Sequence, residues 1–199
     1  MAALAAVAKA ALPSSTRAEV VLGAKQYLIT RHLFVPAGTS IKGAGSDATT
    51  LSFTLGPPER GEPSAAFEMS SNTSLSNFSV VITENTTHAK LVVVDFSGGK
   101  RGLVASGLSV IMRQPKVGMA FQMESVADFE VRDNNLSQIG ACDRTEARVL
   151  FMHDSQHGTI AGNHIQWNCA AISADISDNV VVEDNKFECI ATGAINGGT

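Results

Sequence analysis

One pattern of apolar landmarks recurs five times along this chain, and any fold has to accommodate it. Phe67 to Ile82, Val93 to Leu108, Phe121 to Leu136, Leu150 to Ile165 and Ile172 to Phe187 each span 15 positions, and their starts lie 26, 28, 29 and 22 residues apart. An array of helical hairpins would hold its period and space its apolar residues by about 3.6. Here the apolar runs are short and alternating, and they end at Gly, Asn, Asp and Ser, which is the chemistry of strands and turns. The pattern therefore predicts a β-solenoid in which each repeat is one coil and equivalent residues stack in columns.

Composition agrees with a single domain over residues 1–199. The chain is 44% apolar but only 6% aromatic, with 17 glycines, which suits a narrow core of Val, Ile, Leu, Ala and Met with turns made by Gly and Asn. The formal charge of −4 is spread without a basic block, so there is no electrostatic footprint for a nucleic acid. No apolar run approaches the roughly 18 residues of a membrane-spanning helix. Cys142, Cys169 and Cys189 are odd in number and lack metal-ligand spacing, so they read as buried thiols. Asn72, Asn77, Asn85 and Asn135 stand in Asn-x-Ser/Thr sequons, acceptors if the protein is secreted by a eukaryotic cell. Nothing in the sequence sets an oligomeric state.

Residues 1–13 are nearly all alanine, with Leu4, Val7, Ala8 and Ala11 on one face and Pro13 at the end. They predict a short amphipathic helix capping the open end of the solenoid, not a signal peptide, because no basic start or cleavage region is present. The first coil occupies residues 19–55, with strands at Glu19 to Leu22, Tyr27 to Ile29, Leu33 to Val35 and near Thr50 to Thr54. The proline-rich stretch from Gly56 to Pro63 cannot join a sheet ladder and reads as a surface loop. Repeated coils fill residues 64–199. Residues 191–199 still read as repeat, so the expectation is that the coil continues beyond them or is truncated there.

Residues 20–30 (Val-Val-Leu-Gly-Ala-Lys-Gln-Tyr-Leu-Ile-Thr) and 33–51 (Leu-Phe-Val-Pro-Ala-Gly-Thr-Ser-Ile-Lys-Gly-Ala-Gly-Ser-Asp-Ala-Thr-Thr-Leu), after an alanine-rich helix, resemble the N-terminal cap and first coil of pectate-lyase-like right-handed parallel β-helix proteins. Ile160-Ala161-Gly162-Asn163-His164-Ile165 and Val182-Glu183-Asp184-Asn185-Lys186-Phe187 are similar to the repeat of that superfamily, in which an Asn two places before an apolar residue stacks at a bend. The resemblance covers nearly the whole chain and implies an all-β, right-handed parallel β-helix.

Stacking the repeats on their common frame gives an inward column of Phe67, Val93, Phe121, Leu150 and Ile172, and a second of Met69, Asp95, Met123, Met152 and Ala174, where Asp95 is out of character. Asn134, Asn163 and Asn185 form an asparagine column under Ser106, suited to pinning a bend through side-chain bonds to the backbone. The outward column Ser70, Phe96, Glu124, His153 and Asp175 presents carboxylate, imidazole and carboxylate on three consecutive rungs. Glu124 and Asp175, two rungs apart, would have backbones about 9.6 Å from each other, near the upper end of the roughly 6.5–9.5 Å separation of inverting glycosidase carboxyls. His153 between them is placed to orient a carboxylate or shuttle its proton. Outward strand positions are polar by default, so the same column also reads as ordinary surface.

Asp154 and Arg148, at the two ends of the His153 strand, and Trp167, the sole tryptophan, are candidate substrate contacts, the last because aromatic faces stack on sugar rings. Asp154 also reads as a turn residue, and Trp167 equally as a partly buried packing residue under a loop. The resemblance implies calcium held by acidic residues and an arginine base, as in the superfamily's polysaccharide lyases. Arg148 and Arg132 are the arginines near the column, but no cluster of three acids is visible to hold the cation, so no metal site is assigned and calcium stays open as the one cofactor the resemblance implies. The galacturonan hydrolases of the superfamily carry a paired-Asp run and a Gly-His-Gly run; neither is present, and Gln156-His157-Gly158 is the nearest approach. Two functional readings remain: a secreted or cell-surface carbohydrate-active domain that cleaves a polysaccharide by lyase- or glycosidase-like chemistry, with Glu124, His153 and Asp175 as its catalytic group, or a non-catalytic β-helix module that binds glycan or spaces other domains.

Overall fold

A computed structural model describes residues 17–55, 65–83, 91–113, 118–139, 148–167, 170–188 and 195–197. The expected capping helix over residues 1–13 lies outside the described residues, as do the Gly56 to Pro63 loop and the three cysteines. The described chain winds through seven coils, each giving one strand to each of three seven-stranded, wholly parallel sheets. Sheet I begins with Ala18–Val21 and Thr39–Lys42 and ends with Asp178–Glu183; sheet II runs from Gln26–Ile29 to Lys186–Glu188; sheet III runs from Leu33–Val35 to Ile195–Gly197. Crossovers between parallel strands of one sheet are almost always right-handed, and the architecture is the right-handed parallel β-helix that the repeat implies.

The core is built of columns. Sheet I contributes Val20, Ile41, Leu75, Ala105, Val131 and Ile160, and sheet II contributes Leu51, Val80, Val110, Leu136 and Ile165. Alternate residues of each strand therefore face inward, as the two-residue period of a strand requires. Phe53, Phe67 and Phe78 meet in the upper coils, with ring centroids 5.1 Å apart for the first pair and 6.1 Å for the second.

Sheet III departs from simple alternation, and this corrects the predicted columns. Phe67 pairs with Val94, and Val94 with Phe121, so Val94 holds the place expected for Val93. Val93 is nevertheless buried in the same core, as are Ala66, Ala120 and Val149 beside Phe67, Phe121 and Leu150. Two consecutive residues of each of these four rungs thus join the core, and the run Leu91-Val92-Val93-Val94 gives no sequence signal for which one is in register. Shifting the frame by one moves Asp95 outward, where it pairs with Glu68 and Gln122, and moves Phe96 into the core, 0% exposed. The asparagine column is likewise continued by Leu108, not Ser106, because Ser106 pairs with Arg132 and Leu108 N–H donates to Asn134 Oδ1 at 2.9 Å.

Corners between sheets are made by single residues in the left-handed region, and they also stack. Asn77, Gly107, Asp133, Gly162 and Asp184 turn the chain from sheet I to sheet II on consecutive coils, with φ between 56° and 63° except for Asp184 at 52°. Asn, Asp and Gly are the residues that tolerate this conformation. Glycine at 107 and 162 answers a second need: a Cβ there would approach Asn77 Oδ1 or Asp133 Oδ1 to 2.6 Å. Larger and smaller corner residues therefore alternate along this edge.

Candidate functional site

The outward face of sheet III carries the residues singled out by the repeat. Glu124 pairs in register with His153, and His153 with Asp175, so the three expected neighbours occupy consecutive rungs. His153 Nδ1 stands 3.3 Å from Asp175 Oδ2, which leaves Nε2 of the imidazole for any other partner. Glu124 Oε1 accepts a hydrogen bond of 2.8 Å from Gln122 Nε2. The carboxylate is therefore held from its own strand while the imidazole is held by the next coil. Ser97 replaces Phe96 as the residue above Glu124, and its Oγ donates to Asp95 Oδ1 at 2.6 Å.

Asp154 ends the His153 strand in a left-handed corner with φ 51°. It has the same role as Ser125 above it, φ 54°, and Ile176 below it, φ 49°. The Ser125 hydroxyl donates to Asp154 Oδ2 at 3.2 Å, and the Asp154 N–H donates to the Asp175 carbonyl at 3.0 Å. Asp154 thus borders the strip and is tied to both of its carboxylate-bearing coils. Arg148 begins the same strand, but its guanidinium lies over the Phe151 ring, 5.0 Å from the centroid. Trp167 is a correction: it is 0% exposed within the core, so neither ring face is open to a sugar. Its position just past Gln166 continues the inward column of sheet II, which burial of the large ring explains.

Three residues of the site are not evident from the repeat. Gln122 was hidden by its neutrality, although it lies two places before Glu124 and so on the same face. Asp95 falls in a core column when the frame is read one residue early through the valine run, and its true register puts it outward. Phe151 sits within Leu150-Phe151-Met152, where an outward aromatic looks like core; it pairs with Gln122 and Ser173 on the outer face. It packs against Ala65, Val92 and Met119, a small apolar cluster separate from the main core. The outer face of sheet III therefore sets an aromatic beside a row of carboxylates, an amide and an imidazole.

Among the described residues, no group of three or more His, Cys, Asp or Glu is arranged to hold a metal ion. No described helix is long and apolar enough to cross a membrane.

This architecture is the fold of the pectate-lyase-like parallel β-helix proteins. No protein-family model and no curated protein sequence matches the chain. Among solved structures it is similar to the catalytic domain of a GH87 alpha-1,3-glucanase in complex with nigerose, with a TM-score of 0.56 and 14% identity over 86% of this chain. A variant of that domain in complex with tetrasaccharides gives a TM-score of 0.57 and 14% identity. The chain spans 34% of the length of those structures. At this identity the likeness is one of fold.

Proposed function

We propose that the outer face of sheet III binds a polysaccharide and cleaves it, with Glu124 as general acid, Asp175 as general base and His153 orienting Asp175 or relaying its proton. The observation that carries this reading is the in-register sequence Glu124, His153, Asp175, closed on one side by the 3.3 Å contact of His153 with Asp175. Two carboxylates two rungs apart leave room for a glycosidic bond and a water between them, the arrangement that inverts configuration at the sugar carbon. Glu124 protonates the leaving oxygen. Asp175 takes the proton of the attacking water, and His153 holds that carboxylate in place across the coil boundary. Phe151, under the Arg148 guanidinium, borders the strip, with Asp154 and Arg148 as flanking contacts. The fold's likeness to a domain seen with nigerose and tetrasaccharides supports a saccharide ligand, and the proposal includes a secreted or cell-surface location.

A binding role without cleavage is favoured by one observation. The His153 and Asp175 side chains are 42% and 51% exposed, whereas acid–base catalysis gains from groups that are screened from water. Incubation with a panel of neutral and acidic polysaccharides, with and without calcium, separates the readings. New reducing ends that disappear in His153→Ala support hydrolysis, and unsaturated-uronide absorbance replaces it with a lyase. Retention on a glycan matrix without product from any substrate leaves the binding module.

A further inference from the structure

Sheet II has an internal polar step unlike the asparagine ladder. The inward column Ile29, Phe53, Ile82 and Met112 reaches Gln138 on the next coil, and the pairing of Ser137 with Gln166 sets Trp167 directly after it. Gln138 is 6% exposed and Trp167 0%. Gln138 Nε2 and Oε1 and Trp167 Nε1 are all buried without a hydrogen-bond partner.

The same two strands show how such groups are normally satisfied. Asn134 and Asn163, at the other end of these strands, bond amide to amide at 2.9 Å, because each rung supplies the same side chain. At the Gln138 rung the next residue is an indole, which donates but cannot accept, and the amide ladder cannot form. Buried polar atoms are almost always paired, by protein or by ordered water. Adjacent rungs are roughly 4.8 Å apart, and across that spacing the Asn134 and Asn163 amides bond directly, whereas Gln138 and Trp167 do not. A pocket needs two to four polar partners to keep such a water, and the amide and indole supply them.

We infer that the core holds at least one buried water between Gln138 and Trp167, accepting a hydrogen bond from the indole N–H and donating one to the Gln138 amide oxygen. The ligand of this site is water, and the site is structural, independent of the outer face of sheet III. Trp167 is the sole tryptophan, so its indole proton gives a single NMR signal. In the wild-type protein that proton should show a cross-relaxation peak to water with the sign of a long-lived contact. The peak should vanish in Gln138→Met, which keeps the volume and removes the amide, with the β-sheet spectrum retained. An indole proton with no water peak in the wild type, as a direct bond to Gln138 would give, overturns the inference even if the variant does not fold. A peak that persists unchanged in a folded Gln138→Met overturns it as well.

Discussion

Phe129 lies over Gly158 on the next coil so closely that a Cβ at position 158 would stand 1.9 Å from the ring Cζ and 2.3 Å from Cε1. The two are register partners in an inward column of sheet I, and Phe129 is 1% exposed. Glycine here is therefore a matter of volume: the aromatic of one coil fills the space left by the missing side chain of the next. Overpacking of this kind costs about 1–3 kcal/mol, and a contact with a ring fixed on all sides belongs at the upper end. Gly158→Ala should lower unfolding stability by about 3 kcal/mol in denaturant titration. In a Phe129→Leu background most of that penalty should disappear, because the two residues share one space and their effects cannot add.

The asparagine ladder makes a different prediction, since it concerns polar satisfaction. Asn163 Oδ1 accepts from the Asn134 backbone N–H at 3.1 Å and from its Nδ2 at 2.9 Å. Asn163 Nδ2 donates to the Val131 carbonyl at 2.8 Å and to Asn185 Oδ1 at 2.9 Å. Asn163→Ala strands several of these groups in a site 1% exposed, at about 1–3 kcal/mol for each one left unpaired. Asn185 is part-exposed, and water reaches its partners more readily. Asn163→Ala should therefore destabilise by a few kcal/mol more than Asn185→Ala, measured by thermal or chemical unfolding.

The asparagine ladder and the corners show what a single sequence reveals about this fold. An asparagine two places before an apolar residue marks a bend because the side chain must serve two coils at once, and three such residues gave the right column. Its upper continuation carries no such mark, because Leu108 and Phe78 hold the same place with no polar signature. Glu124, His153 and Asp175 were legible because period-two alternation fixes which residues share a face once one is anchored. Phe151 and Asp95 were not, because beside them two consecutive residues enter the core and the alternation on which the argument rests is suspended. Trp167 could be counted but not located: a tryptophan past a bend has the same sequence signature inside a core as on a binding face.

The proposed catalytic group predicts a graded loss of activity. On any polysaccharide that yields product, Glu124→Gln and Asp175→Asn should lower kcat by roughly 10²–10⁴-fold, the usual contribution of a positioned acid or base. Gln122→Ala, which only frees the Glu124 carboxylate to rotate, should have a smaller effect on kcat. Equal activity in wild type and Asp175→Asn, at equal β-sheet content, removes the acid–base assignment.

Ile176 is an exposed β-branched residue, 62% accessible, in a left-handed conformation with φ 49°. The preceding coils use Gly98, Ser125 and Asp154 at this corner, residues that the conformation suits better. A non-glycine residue held there costs about 1–3 kcal/mol, and the exposed side chain recovers little by packing. Ile176→Asn or Ile176→Gly should raise stability by about 1 kcal/mol. Because Ile176 follows Asp175 directly, the variant with higher stability and lower glycan cleavage or binding would show that the strain serves the outer face of sheet III.

Glu188, on the outer side of sheet II, has its carboxyl held at about 2, well below the ordinary value of 4.5. Lys186 is the largest cause, followed by Gln166, whose Nε2 donates to Oε2 at 2.7 Å, and by His164, whose Nε2 stands 3.1 Å from Oε1. All of them favour the ionised form. The native state therefore binds this proton less readily than the unfolded chain, so the interaction stabilises the fold fully above pH 4.5 and is lost as pH falls towards 2. The cluster lies at the surface, where salt weakens it. Titration of the Glu188 carboxyl by NMR should show the low midpoint in the wild type, a rise towards the ordinary value in Lys186→Ala, and a smaller rise in Gln166→Ala. In the Lys186→Ala protein the acid limb of the stability profile should flatten between those two pH values. An unchanged Glu188 midpoint on removal of Lys186 would mean that the amide and imidazole alone hold the charge.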